Sequence, residues 1–472
     1  MNYLSELNCP VCGYISELEE ESYTARFACP QRDSDCEHTL HRNYGAGDGV
    51  LEIGCESNPF LKFQSLLSSK ARCTDYGVDY SEVVRNIGAG LKKMGQPDFQ
   101  CTPLTEETSL AKALDISGSL FIKNETGNVG GSHKARHLMG TLLHLESQRL
   151  SSENKDEKSL LAIYSCGNAA LGASCVASAA GYCLKVFVPE DVNPVVEQNL
   201  NANGAEVNKI GRTPGEAGDP CYLKFQECLK QGAIPFSCSG PDNWSNIEGG
   251  ETLGYELFTQ LQEVDSCIDD LFVQVGGGAL GSSTAQAMLP RFHTVQTTGG
   301  YPLVRAYFLA LKSFAEKFGF TCSLNADRDA GLNQRIFEYC SSCTGEILTL
   351  QDELKSRWTD ASMQDMLHML ASSMSDYMWA WEDEPRSIAH GILDDITYDW
   401  FGLIKGMFQT GGRPFIATEE ELKEANELAE KYTDIPADPT GTSGLGGLLA
   451  AIKQKAISRN AKIALLFTGV KR

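Results

Sequence analysis

Three times along this chain a short apolar run stops at a turn of small polar residues. Leu160-Leu-Ala-Ile-Tyr164 leads into Ser165-Cys-Gly-Asn-Ala169 and an Ala-rich helical stretch. Leu271-Phe-Val-Gln-Val275 leads into Gly276-Gly-Gly-Ala-Leu-Gly281 and a further helical stretch. Ile463-Ala-Leu-Leu-Phe467 leads into Thr468-Gly469. A strand followed by a small-residue turn is how α/β sheets build sites at their strand C-termini. The pattern reads as helix over 133–150, strand over 160–164, helix over 168–181, strand over 184–188, helix over 194–203 and strand over 205–210. That alternation predicts a parallel sheet, and a similar rhythm returns after residue 245.

Lys134 closes the stretch Lys123-Asn-Glu-Thr-Gly-Asn-Val-Gly-Gly-Ser-His-Lys134. A lysine after a glycine turn, opening a helix, suits an amine held beside a bound anion. Ser132 is the expected N-cap, with Leu138, Met139, Leu142, Leu143 and Leu145 as the apolar face. A helix N-terminus lowers the pKa of an amine placed on it, which is what covalent chemistry at a lysine needs. A solvated lysine in a capping loop is the plainer reading.

Gly276-x-Gly278-x-x-Gly281 matches the dinucleotide fingerprint, yet no Asp or Glu occurs from Ser282 to Ala315. Nicotinamide binding needs an acid about 20 residues on. A single phosphate cradled by N–H groups at the helix start needs none. Gly127 to Lys134 is not a Walker A loop, because Ala135 stands where a magnesium-binding hydroxyl is required.

Forty basic residues against 62 acidic ones give a net charge of −22. That argues against nucleic acid and anionic membranes as partners. No run of about 18 apolar residues is present, so no membrane span is expected. The opening Met-Asn-Tyr-Leu-Ser-Glu carries no basic, then apolar, signal. Seventeen cysteines without such a signal point to the reducing cytoplasm.

Residues 1–45 read as a separate module. Cys9-Pro-Val-Cys12, Cys29 and Cys36 present four thiols, as a structural zinc site requires, with His38 or His41 able to replace Cys36. The alternative is a degenerate ribbon that has lost its metal. Asn58-Pro-Phe-Leu-Lys-Phe reads as a helix start. From about 320 to 400 the spacing of Met363, Met366, Met369, Met374, Met378, Trp379 and Trp381 suits a packed helical insertion, or a lid or dimer surface. Cys340-Ser-Ser-Cys343 lacks a thioredoxin-like context and reads as free thiols.

Taken in order, these motifs resemble the fold-type II family of pyridoxal-phosphate enzymes, from about Thr102 onward. Cys101-Thr-Pro-Leu104 looks like its opening motif, Ser132-His-Lys134 like its lysine motif and Ser165-Cys-Gly-Asn168 like its substrate loop. Glu248-Gly-Gly-Glu-Thr252 resembles the Gly-Gln-Thr segment, with Gly250-Glu251 in place of Gly-Gln. Asp438-Pro-Thr-Gly441 resembles a late Pro-Ser-Gly turn, and Thr468-Gly-Val-Lys resembles the threonine synthases, many of which carry an N-terminal zinc ribbon.

The resemblance implies a two-lobed α/β fold with parallel-sheet lobes and a small zinc-ribbon-like module at residues 1–45. The large lobe is expected at 46–130 and 245–472 and the small lobe at 131–244, in a homodimer. It implies that Lys134 holds pyridoxal 5'-phosphate and later removes the substrate Cα proton. Gly276, Gly277, Gly278, Ala279 and Leu280 are to bind the phosphate, Asn168 the ring 3'-oxygen, and Thr468 the ring nitrogen. Ser165, Cys166, Gly167, Asn168 and Ala169 are to receive the substrate. His133 either touches the phosphate or packs. Arg136 and His137 either meet an anionic substrate group or lie on a solvated helix face. His390, in Ser387-Ile-Ala-His-Gly391, is a candidate substrate contact. The implied function is β or γ elimination or replacement on an amino acid, as in threonine synthases. The alternatives are a serine/threonine ammonia-lyase, a β-replacement synthase of the cysteine or cysteate synthase type, and a cofactor-free regulatory homologue.

Overall fold

A computed structural model describes residues 4–17, 27–33, 35–44, 53–153, 155–211, 219–287 and 290–472. The module boundary expected at residue 45 lies outside these residues. The chain divides into two units. The first holds 1–31, 39–101 and 127–256; the second holds 32–38, 102–126 and 257–472.

The first unit is built on a four-stranded parallel sheet, in the order Glu206–Ile210, Leu184–Pro189, Leu161–Tyr164, Ile234–Pro235. Val186, Val188, Leu161 and Ile163 are apolar on both faces, as strands covered by helices on two sides must be. The helix Lys134–Ser151, here the lysine helix, is buried nearly all round, from Ala135 through Gln148. Glycines let it pack so closely. A Cβ built on Gly140 would lie 2.4 Å from Gly249 Cα, and one built on Gly249 would lie 2.3 Å from the Arg136 carbonyl. The helices Pro59–Lys62 and Tyr80–Lys93 join this core through Phe60, Tyr80, Val84, Ile87 and Leu91, which cluster with Leu138, Leu142 and Val176. Residues 53–101, read from the sequence with the glycine-loop lobe, pack with the lysine unit. Their apolar faces find partners on the lysine helix. Asn58 caps Pro59–Lys62 as expected, its side chain accepting from Phe60 N. Leu4–Asn8, Ile15–Glu17 and His41–Tyr44 form a small antiparallel sheet.

The second unit carries a six-stranded sheet in the order Pro414–Ala417, Arg291–Thr297, Asp270–Gln274, Ile463–Phe467, Leu120–Asn124, Leu104–Glu106. All pairings are parallel except that of Leu104–Glu106 with Leu120–Asn124. The expected insertion is helical: Leu332–Ser342, Thr344–Ser356, Ala361–Ser372 and Met374–Tyr377. Met363 and Met366 are fully buried. Arg305 anchors the segment that follows. Its buried guanidinium stacks 3.8 Å from the Trp379 ring and pairs with Glu382 at 2.9 Å. Burial pulls its pKa down to about 10, against the opposing carboxylate. Among the described residues no helix is long and apolar enough to cross a membrane.

Candidate functional site

Lys134 is the first residue of its helix and is half-buried. Its amine makes no hydrogen bond or ion pair among the described residues. The expected cap is displaced by one position. His133 takes the cap place without a side-chain bond, while Ser132 is extended and its Oγ accepts from Lys134 N at 3.4 Å. Gly130 (φ 64°) and Gly131 (φ 73°) make the left-handed turn that delivers the chain to this helix.

Neither Arg136 nor His137 is solvated, and the physical reason is the all-round packing of the helix. Arg136 is 1% exposed and pairs with Glu256 at 3.0 Å, while His137 Nδ1 lies 2.9 Å from the Asn246 carbonyl. The His133 and His137 rings meet edge to face at 5.8 Å.

The loop Ser165–Ala169 follows the strand Leu161–Tyr164 and opens the helix Asn168–Ala179, as the motif predicts. Ser165 Oγ accepts from Gly167 N at 3.3 Å, which curls the loop. Cys166 is exposed; Ser165, Gly167, Asn168 and Ala169 are half-buried. A Cβ built on Gly172 would lie 3.1 Å from Ala135 N, so this helix crosses the lysine helix at its first turn.

The Gly-Gln-Thr departure has a structural partner. Glu251 Oε2 accepts from Arg42 Nη2 at 2.7 Å and from Tyr255 Oη at 2.9 Å. Glu248 accepts from Arg42 Nη1 and, at 2.8 Å, from Ser68 Oγ. One guanidinium thus neutralises two buried carboxylates.

In the second unit, Gly276 to Leu280 follow the strand Asp270–Gln274 and start the helix Ala279–Ala287. The N–H groups at a helix start lack intrahelical partners. Among the described residues none from Gly276 to Leu280 donates outside its own helix. Gly278 has φ 106°, outside the range of residues with a side chain. These features fit a cradle for the phosphate of pyridoxal phosphate.

Sequence reasoning missed what backs the loop. Asp399 N donates to the Gly277 carbonyl at 3.0 Å. A Cβ on Gly276 would lie 2.2 Å from Asp394 Oδ2, one on Gly277 2.9 Å from the Tyr398 ring, and one on Gly278 3.0 Å from Asp399 Cβ. No local signal in 392–399 announces this role. His390, in the preceding turn, is exposed.

Thr468 ends the neighbouring parallel strand Ile463–Phe467 and is 2% exposed. Gln274 Nε2 donates to its Oγ1 at 2.6 Å. The Asp438–Gly441 turn braces it: Asp438 N donates to the Gly469 carbonyl at 2.9 Å, and Thr468 N to the Gly441 carbonyl at 3.4 Å. Burial raises the Asp438 pKa. The opening motif is structural here. Lys123 Nζ donates to the Thr102 carbonyl at 2.6 Å, and Thr102 Oγ1 to Glu125 Oε1 at 2.5 Å.

Of the four expected metal-binding thiols, Cys9, Cys12 and Cys29 gather, with Sγ atoms all within 4.8 Å. Cys36 is engaged in the second unit, where its thiol donates to the Ser372 carbonyl at 3.4 Å. His38 Nε2 lies 3.5 Å from Asp33 Oδ2. Cys340 and Cys343 are free thiols.

The β subunit of 2-amino-4-ketopentanoate thiolase from Acetoanaerobium sticklandii is 29% identical over 231 residues, 45% of this chain. The match spans 46% of that protein, so the chain covers about half its length. Diaminopropionate ammonia lyase from Escherichia coli superposes with TM-score 0.54 at 13% identity, covering 89% of this chain and 92% of that one. Serine racemase from Dictyostelium discoideum does so with TM-score 0.52 at 18% identity, covering 82% and 98%. Residues 96–351 match the family described as pyridoxal-phosphate dependent enzyme. With the lysine turn, glycine loop and parallel sheets in place, the chain belongs to the fold-type II pyridoxal-phosphate-dependent enzymes.

Proposed function

We propose that this enzyme eliminates or replaces a β or γ group on an amino acid, in the manner of threonine synthases. The observation that carries this is the neutral hydroxyl of Thr468 at the end of the strand beside the glycine-loop strand. A carboxylate at the ring nitrogen would hold a proton there and favour transamination. A hydroxyl leaves the nitrogen neutral and favours prompt loss of a leaving group.

Bound pyridoxal phosphate supplies an electron sink for the Cα–H bond of an amino acid. The amine of Lys134 would hold the cofactor and would serve as the base at Cα. The N–H groups of Gly276 to Leu280 would hold the phosphate, and Asn168 would donate to the ring 3'-oxygen. Ser165 and the amides of Cys166 to Ala169 would receive the substrate carboxylate.

The test is a panel of amino acids bearing hydroxyl, phosphoryl, acetyl and amino groups at Cβ or Cγ, followed by ammonia, phosphate, acetate and keto-acid release. Release from one of them, lost in Lys134→Ala, supports the reading. Racemisation with no release overturns it. No visible absorbance bleached by borohydride would favour a cofactor-free homologue.

We also propose a structural zinc on Cys9, Cys12 and Cys29. The Cys12 and Cys29 sulfurs lie 3.5 Å apart. That is near the spacing of about 3.8 Å that a tetrahedral Zn–S distance of about 2.3 Å gives.

A further inference from the structure

We infer that Gln274 is a positioning residue that turns the hydroxyl proton of Thr468 outward, making that hydroxyl a donor to the ring nitrogen; this rests on the reading of Thr468 given above. The inference begins with the amide's own contacts. Gln274 is 3% exposed, and its Nε2 lies 3.1 Å from the Leu466 carbonyl, 3.1 Å from the Gly441 carbonyl and 2.6 Å from Thr468 Oγ1. Two of those three oxygens belong to carbonyls, which only accept. The group facing them is therefore the amide NH2, and the opposite orientation would set three oxygens against a fourth.

An amide nitrogen has no lone pair to offer. Thr468 Oγ1 must accept from it, so the single proton of the hydroxyl is left for another acceptor. Without Gln274, the hydroxyl loses the donor that fixes where its proton points. The Gln274 Oε1 is buried with no hydrogen-bond partner among the described residues, so the side chain is placed by its Nε2 contacts alone. Position 274 is the penultimate residue before the glycine loop, on the strand that pairs with the Thr468 strand. The two strands that carry the proposed phosphate and ring-nitrogen groups are thus coupled by one side chain. A neutral pyridine nitrogen is an acceptor, and a hydroxyl whose lone pair is already engaged by a donor is its complement. A protonated ring nitrogen would need the opposite arrangement.

The test loads the enzyme with cofactor labelled with 15N in the ring and reads the nitrogen resonance. In the native enzyme the signal is that of a neutral, hydrogen-bonded pyridine. Thr468→Ala removes the donor and shifts it downfield. Gln274→Met is expected to shift it in the same direction by at least half as much, and the double variant to shift no further than Thr468→Ala alone. Gln274→Asn, which keeps an amide but draws it back by one methylene, gives the same direction if the Met variant fails to fold. A native signal in a folded Gln274 variant, with Thr468→Ala shifted, overturns the inference alone. An unshifted signal in Thr468→Ala means Thr468 does not face the ring, and overturns the underlying reading with it.

Discussion

Arg42 Nη2 lies 2.7 Å from Glu251 Oε2, joining two residues 209 positions apart, both almost wholly buried. The same guanidinium also holds Glu248. Removing one partner of a buried ion pair strands the other, at a cost of roughly 3–5 kcal/mol. Arg42→Met strands two carboxylates and is expected to lose at least that much. Glu251→Gln keeps an acceptor and leaves Glu248 on Arg42, so its loss should be nearer about 1–3 kcal/mol. Urea unfolding of the two variants checks the order. Equal losses would show that a neutral acceptor cannot stand in for the Glu251 charge.

Lys134→Ala should lose roughly 10³-fold or more in turnover, because nucleophile and base go together. Its melting temperature should stay near that of the parent. Alanine is the best helix former, and the lysine amine has no partner among the described residues to lose. A borohydride-reducible link to the cofactor that survives in this variant would place the covalent site on another lysine.

Gly278→Ala combines a backbone at φ 106° with a Cβ contact of 3.0 Å to Asp399. Backbone strain of this kind costs about 1–3 kcal/mol. Thermal melts should show the loss even without cofactor, and equilibrium dialysis should show weaker cofactor retention on top of it. If retention is unchanged in the folded variant, the loop does not bind the phosphate.

His144 is fully buried, with its ring edge to face with Trp244 at 5.0 Å, and burial pushes its pKa down to about 3. His293 is lowered as well, by burial, with Asp270 opposing. Unfolded, each titrates near about 6.5. Between those limits the unfolded chain binds more protons than the folded one. The stability held above the ordinary histidine pKa is therefore lost as pH falls, by about 1.4 kcal/mol per pH unit for His144. Denaturant unfolding at about pH 7 and about pH 5 should show a smaller drop for His144→Gln than for the parent. An equal drop would mean that His144 takes up no proton on unfolding.

Elemental analysis should find about one zinc per chain, lost in Cys9→Ser. No metal in carefully prepared protein would make the module a degenerate ribbon.

The alternation of strand and helix, the lysine turn and the glycine loop were legible in the sequence because each is a local matter. Periodicity fixes which elements form, and a helix start or a left-handed glycine is decided by a few neighbouring residues. Helix and strand positions from 133 to 210 follow the pattern to within two residues at each end. Arg136, His137 and Glu251 were not legible in the same way. A charged residue reads as solvated until a partner is found, and theirs are 120, 109 and 209 positions away. Nor did anything local place 53–101 beside the lysine helix, or set 392–399 behind the glycine loop. Gln274 is the sharpest case. In sequence it is a polar residue interrupting an apolar strand, and only the pairing of that strand with Ile463–Phe467 brings its amide to Thr468. Burial makes such polar groups find partners, and strand order, which no local propensity encodes, decides which partners they find.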